Sequence, residues 1–251
     1  MKNKNLYNYI LGIADNSLIL GQRLGELCGH GPSLETDIAC TNMSLDLLGQ
    51  VRSYYQYAAK IAGDGRTEDD IAMLRKEREY FNVLLVEQPN TDFGYTMARQ
   101  FLFDVYHFLM LNELEKSTDL NLSAIAKKSI KEVSYHKRFS SDWIKRLGDG
   151  TEESHSRIQT AINDLWTYTD ELFHQTEADE AMVAEGVGVD VTKLKDAYYE
   201  EVNAVLEEAT LSVPESKYFQ KGGKQGIHTE HMGYLLADLQ YMQRTYPNME
   251  W

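Results

Sequence analysis

Proline constrains this chain most. Four prolines, Pro32, Pro89, Pro214 and Pro247, leave two long proline-free stretches, 33–88 and 90–213. A proline in a helix interior costs about 3 kcal/mol, because it removes an amide donor and its ring meets the preceding turn. Long stretches without it, rich in Ala, Leu, Glu, Lys and Gln, favour helices. Apolar residues also recur at intervals of three and four. A helix over 4–28 puts Leu11, Ala14, Leu18, Gly21, Gly25 and Cys28 on one face and stops at Gly29–Pro32. A second, over 34–62, aligns Met43, Leu47, Gln50, Tyr54, Tyr57 and Ile61 and ends at Gly63-Asp64-Gly65. A third is capped by Thr67 and runs to the turn at 88–90. Further helices are expected over 91–117, 121–147, 152–175, 192–208 and 229–246. Strand signals are weak. The connections are short, so neighbouring helices should be antiparallel. The expectation is an all-α bundle forming one domain over 1–251, with additional C-terminal helices.

The formal net charge is −14. Such a chain repels phosphate backbones, which argues against nucleic acid. It favours a basic protein, or a redox partner with a basic face. Two cysteines, Cys28 and Cys40, offer neither a disulfide framework nor a CxxC spacing. With no signal-peptide pattern at MKNKNLYNYI and no apolar run of about 18 residues, the expected setting is the cytoplasm, away from membranes.

A helical bundle of this size can hold a di-iron carboxylate centre. That centre needs a Glu from each of two helices and a Glu-x-x-His from each of two others, because i,i+3 spacing puts carboxylate and imidazole on one face. The chain has one such motif, Glu171–His174, and one Asp-x-x-His, Asp104–His107. Asp104, His136 and Gln50 each sit within an apolar stripe, where burial demands hydrogen-bond partners. Near the C-terminus, Gly222-Gly223-Lys224-Gln225-Gly226-Ile227-His228-Thr229-Glu230-His231 combines glycines, a lysine and two histidines three apart. It lacks the strand context of a phosphate loop. A loop docked against a partner subunit fits it better, with Lys221 and Lys224 able to contact an anion.

Several runs carry a specific resemblance: DNSLILGQRLGELCGHGP, NMSLDLLGQVRSYYQYAAKIAG, NVLLVEQPN, ARQFLFD, KEVSYHKRFSSDWIKRLGDG, AINDLWTYTDELF and GGKQGIHTEHMG. Together they resemble the C-type subunits of the multicomponent bacterial phenylacetyl-CoA epoxidase, from about residue 11 to Trp251. The resemblance implies a ferritin-like fold. It also implies a non-catalytic partner of a homologous A-type subunit that carries the di-iron site. B-type and NADPH-dependent reductase subunits complete such a complex, and phenylacetyl-CoA is its substrate in aerobic phenylacetate degradation. Where the sister subunit has D-E-A-G-H, this chain reads Asp46-Leu47-Leu48-Gly49-Gln50, so the metal Glu is Leu47 and the metal His is Gln50. Where the sister has E-S-F-H, the chain has Val133-Ser134-Tyr135-His136. The first-helix Glu corresponds to Leu18, and the fourth-helix acid survives as Asp104. The resemblance thus implies no catalytic residue, no metal and no cofactor in this chain. It leaves Leu18, Leu47, Gln50, Asp104, Val133 and His136 as remnant positions, with Asp104 and His136 candidates to pair with each other. It also suggests that Glu79, Tyr80, Phe81 and Asn82 lie near the coenzyme A ester at the subunit junction.

Two other readings remain open. One is an independent ferritin-like metalloprotein using Asp104, His107, His136, Glu171 and His174. The other is a structural homodimer unrelated to oxygenation. Finally, Tyr54, Tyr55 and Tyr57 cannot all face one side of a helix. The sequence therefore predicts that 4–28 and 34–62 form much of the partner contact, and that the chain alone self-associates.

Overall fold

The computed structural model describes residues 3–247 and 249; Met1, Lys2, Asn248, Glu250 and Trp251, part of the 1–251 domain expected from the sequence, lie outside the described residues. The described residues hold ten α-helices and no strand. Four long helices form the frame: α1 (Lys4–Glu26), α2 (Leu34–Ala62), α5 (Phe93–Leu114) and α6 (Leu120–Gly148). α1 pairs with α2, α5 pairs with α6, and α2 meets α6 across the bundle. The two pairs are joined by one long crossover over 63–92, which carries α3 (Glu68–Met73), a 3-10 turn (Glu77–Glu79) and α4 (Leu84–Glu87). Two helical hairpins joined by a single crossover are the ferritin-like arrangement.

Local chemistry sets the helix ends. The Ser33 hydroxyl accepts from the Thr36 amide, Asp92 from Tyr95 N–H, and Asp119 from Asn121 and Leu122 N–H. Each thereby satisfies amides that have no partner inside the helix. Gly63 ends α2 at φ 63°, a left-handed conformation that glycine adopts without strain. α1 and α2 pack closely enough for Ser44 Oγ to donate to the Gly21 carbonyl at 2.7 Å. Apolar residues from Tyr7 to Leu236 form one continuous core.

The remaining helices dress this frame. α7 (Glu152–Trp166) packs on α5 and α6, α8 (Glu177–Ala184) on α1, α9 (Lys195–Glu208) on α6 and α5, and α10 (Glu230–Thr245) on α3 and the Glu77–Glu79 turn.

Three sequence expectations change. The helix expected from Thr67 to 88–90 is broken after Met73, because Arg75 turns inward. Its guanidinium meets Asp15 at 2.5 and 2.9 Å, Tyr55 Oη at 2.8 Å and the Ile71 and Glu79 carbonyls at 2.7 Å. The helix expected over 152–175 stops at Trp166, and a 3-10 turn (Asp170–Phe173) carries Glu171 into the interior. The outward tyrosine face is absent. Tyr54 and Tyr55 are fully buried, and Tyr57 is half-buried and donates to Asp119 Oδ2 at 2.5 Å. α1 likewise has buried residues all round, since α2, α4 and α8 wrap it. Neither α1 nor those tyrosines offers the expected partner surface.

Candidate functional site

The centre of the bundle is where a ferritin-like chain would place metal ligands. Leu18 (α1), Leu47 (α2) and Val133 (α6) are all buried in the core and supply no lone pair. Gln50 reaches outward, its Nε2 donating to Glu132 Oε2 at 2.9 Å. Asp104, fully buried, accepts from Gln100 Nε2 at 2.7 Å and from Ser140 Oγ at 2.8 Å. His136 bonds through Nε2 to Asp46 Oδ2 at 3.0 Å. The pairing of Asp104 with His136 expected from the sequence is therefore not made as a hydrogen bond. Each has found a hydrogen-bond partner of its own.

Burial decides the charge states. It pushes the Asp104 carboxyl up to about 7, against the pull of His136 and the two hydrogen bonds. It pushes the His107 imidazole down to about 3, assisted by His136. Neither ring nitrogen of His107 has a hydrogen-bond partner. Among the described residues no group of three or more His, Cys, Asp or Glu could hold a metal ion. The donors present do not fit a two-iron centre, which needs several carboxylates converging on one point. Nor do the motif residues assemble into one site. Asp104 and His107 lie within the core, whereas Glu171 is spent on backbone amides and His174 is exposed.

A second polar system went unread in the sequence. Asp15, mid-α1 and fully buried, accepts from Arg75, from Tyr55 Oη at 2.5 Å and from the Phe81 amide at 2.8 Å. Arg75 also lies 4.0 Å from the Tyr80 ring centroid. This buried ion pair pins the crossover to the bundle. Its only sequence signal is an Asp inside the apolar run of α1.

The crossover in turn receives the C-terminal segment. Glu171 accepts from the amides of Leu84 and Gly222, both at 2.7 Å, and of Lys224 at 3.4 Å. Glu87, fully buried, accepts from Asn82 Nδ2 at 3.0 Å, His228 Nδ1 at 2.5 Å, and the amide and hydroxyl of Thr229 at 2.9 and 2.7 Å. His228 Nε2 faces the Tyr80 carbonyl at 3.0 Å. A carboxylate and a carbonyl only accept, so the ring donates from both nitrogens and is cationic. Burial opposes that charge, but the hydrogen bond and charge of Glu87 outweigh it and raise the pKa. Thr229 starts α10 without a side-chain cap bond, because its hydroxyl serves Glu87 instead. Lys224 Nζ donates to the Leu172 and His174 carbonyls at 3.1 and 2.7 Å, Lys221 Nζ lies 3.5 Å from His174 Nε2, and His231 is half-buried on α10. The 221–231 segment is thus a clasp on the chain's own crossover, not the loop against a partner subunit that the sequence suggested, because two buried carboxylates of the same chain take its amides and His228.

Of the four residues expected near a coenzyme A ester, Glu79 is exposed and caps Lys76, while Tyr80 and Asn82 are buried in these networks. Only Phe81 lines a cleft of about 500 Å³, together with Tyr9, Gly12, Asn16, Tyr106 and Lys224.

The family model for phenylacetic acid catabolic proteins matches residues 1–251. The chain belongs to that family. It is 50% identical, over 243 residues, to the C-type subunit of 1,2-phenylacetyl-CoA epoxidase from Escherichia coli (strain K12), an alignment covering 97% of this chain and 98% of that one. The phenylacetic acid catabolic family and the all-α, ferritin-like architecture therefore agree. Among the described residues no helix is long and apolar enough to cross a membrane.

Proposed function

We propose that the chain is the accessory subunit of a multicomponent phenylacetyl-CoA 1,2-epoxidase, working in the cytoplasm beside a homologous di-iron subunit that performs the oxygenation. One observation supports this reading: Leu18, Leu47 and Val133, the positions the resemblance assigns to metal ligands, are buried apolar side chains, while Asp104 and His136 are each bonded to other residues. The likeness to a C-type epoxidase subunit along almost the whole chain supports the assignment to such a complex. In this role the chain supplies shape rather than chemistry. The partner holds iron, an NADPH-dependent reductase supplies electrons, and this chain stabilises the partner's fold and the junction where further subunits assemble. An apolar filling also avoids a cluster of mutually repelling buried carboxylates.

The test is co-expression with the homologous di-iron subunit, followed by pull-down and iron analysis of each purified component. The expected result is a stable heteromeric complex, iron in the partner, and less than about 0.1 iron per isolated chain. Near two irons in the isolated chain would establish the independent metalloprotein instead.

A further inference from the structure

α6 contradicts the charge of the molecule around it. It carries seven Lys or Arg and only two acids, in a chain of net charge −14. Lys137 and Lys145 are bonded to Glu201 and Glu208 of α9 at 2.5 and 2.6 Å. Lys127, Lys128, Lys131, Arg138 and Arg146 are exposed, and none has a carboxylate partner among the described residues. Beside them runs a ladder of aromatic rings spaced by four, Tyr135, Phe139 and Trp143, with centroids 6.0 and 6.4 Å apart. Arg138 lies 5.8 Å from the first ring and Arg146 5.7 Å from the last.

The ladder adjoins a second stripe. Gln50 bonds Glu132 and Asp46 bonds His136, so numbers fall on α2 as they rise on α6, and the helices are antiparallel. In that register Leu45 sits level with Tyr135–Phe139, and Ile38 with Trp143. Leu34, Ile38 and Leu45 are 72, 50 and 61% exposed on the outer face of α2. Phe139 and Trp143 are half-buried, Trp143 edge-on against Phe93 at 4.8 Å, but Tyr135 and the three α2 side chains are exposed, and leaving them in water is unfavourable. The make-up of this surface, aromatic rings and arginines around aliphatic side chains, is that of an interface centre.

We propose that this α2–α6 face is the docking surface for a second, different helical chain, one that presents an apolar stripe flanked by carboxylates. The proposal rests on the reading above that the chain works beside a homologous subunit, and it names the face and the partner's chemistry. A second copy fits poorly. A two-fold contact through this face brings the same five cations to both sides, and among the described residues of α2 and α6 only Glu35 and Asp142 are exposed acids without an ion-pair partner to meet them, since Asp46 is engaged by His136 and Asp37 by the Gly29 and Gly31 amides. The acidity of the whole chain favours a basic partner; α6 reverses that preference locally.

The test measures affinity between the full chain and the co-expressed di-iron subunit at low and high salt, for R138E/R146E, for I38D/L45D, and for Tyr234→Ser on α10 as a remote control. All are surface changes, and melting temperatures verify folding. The expected result is at least about a tenfold loss of affinity for each double variant, none for the control, and weaker wild-type binding at high salt. Double variants that bind within about twofold of wild type overturn this inference alone. A chain that dimerises through this face while the heteromeric complex survives its mutation does the same. A wild-type chain that binds no di-iron subunit at all removes the proposed function as well.

Discussion

At the residue scale, Asp104 and His107 lie one helical turn apart and respond to pH in opposite directions. The folded pKa of His107 is depressed to about 3, so its contribution to stability is present above pH 6.5 and is lost as pH falls towards 3. The folded pKa of Asp104 is raised to about 7, so its contribution is fully present below about pH 4 and is lost as pH rises through 7. Single variants separate the two. His107→Leu breaks no hydrogen bond, since both ring nitrogens lack partners, and should gain about 2 kcal/mol over wild type at pH 5. Asp104→Asn keeps a group able to bond Gln100 and Ser140, and its advantage should grow between pH 4 and 7 to the order of 3 kcal/mol. Urea denaturation across pH 4–8 checks both; parallel curves for variant and wild type would contradict them. Asp15→Asn is the opposite case. It leaves Arg75 buried without its counter-charge, and should cost about 3–5 kcal/mol in the same assay.

At the scale of elements, the 222–229 clasp is held by two buried carboxylates rather than by an apolar seam of its own. Gly223 sits so close to the crossover that an added Cβ would lie 2.2 Å from the Asn82 carbonyl oxygen. Gly223→Ala must therefore lift the clasp, and Glu171→Ala leaves three amides without their acceptor. Both should raise hydrogen exchange over 212–247 by at least about tenfold, with the four long helices still protected. Loss of protection throughout the bundle would show that the clasp and the bundle unfold together. The acid of the Glu171–His174 motif is one of these carboxylates, engaged by the backbone of two other segments.

At the scale of the whole molecule, the positions Leu18, Leu47 and Val133 fill the core with apolar side chains rather than metal donors. A group that binds only the folded state raises its stability, so stripping a structural metal lowers the melting temperature. Excess chelator should leave that temperature unchanged within about 1 °C, and a drop of several degrees, restored by iron, would reveal a metal after all. The bundle also distributes its surfaces unevenly. Most of α1 is covered by α2, α4 and α8, apart from the cleft at Tyr9, Gly12 and Asn16, whereas the outer face of α2 leaves Leu34, Ile38 and Leu45 in water.

Helix type and order follow from proline spacing and the 3.6-residue repeat, because both act locally, through backbone donors and side-chain direction. That Leu47 and Val133 cannot ligate is also legible as residues, because a leucine or valine can donate to no metal in any fold. Arg75 could not be read this way. Its local sequence allows a continuing helix, and only the carboxylate of Asp15, sixty residues away, turns it inward. Tyr54, Tyr55 and Tyr57 point to three sides of one helix, and whether those sides meet water depends on what packs there. Here α1 and Asp119 receive them. The pairing of His136 with Asp46 rather than Asp104 was likewise decided by side-chain reach across α2 and α6. The sequence determined which groups are present and how each segment coils; the tertiary structure alone decided which charges meet, because buried partners are chosen by distance in space.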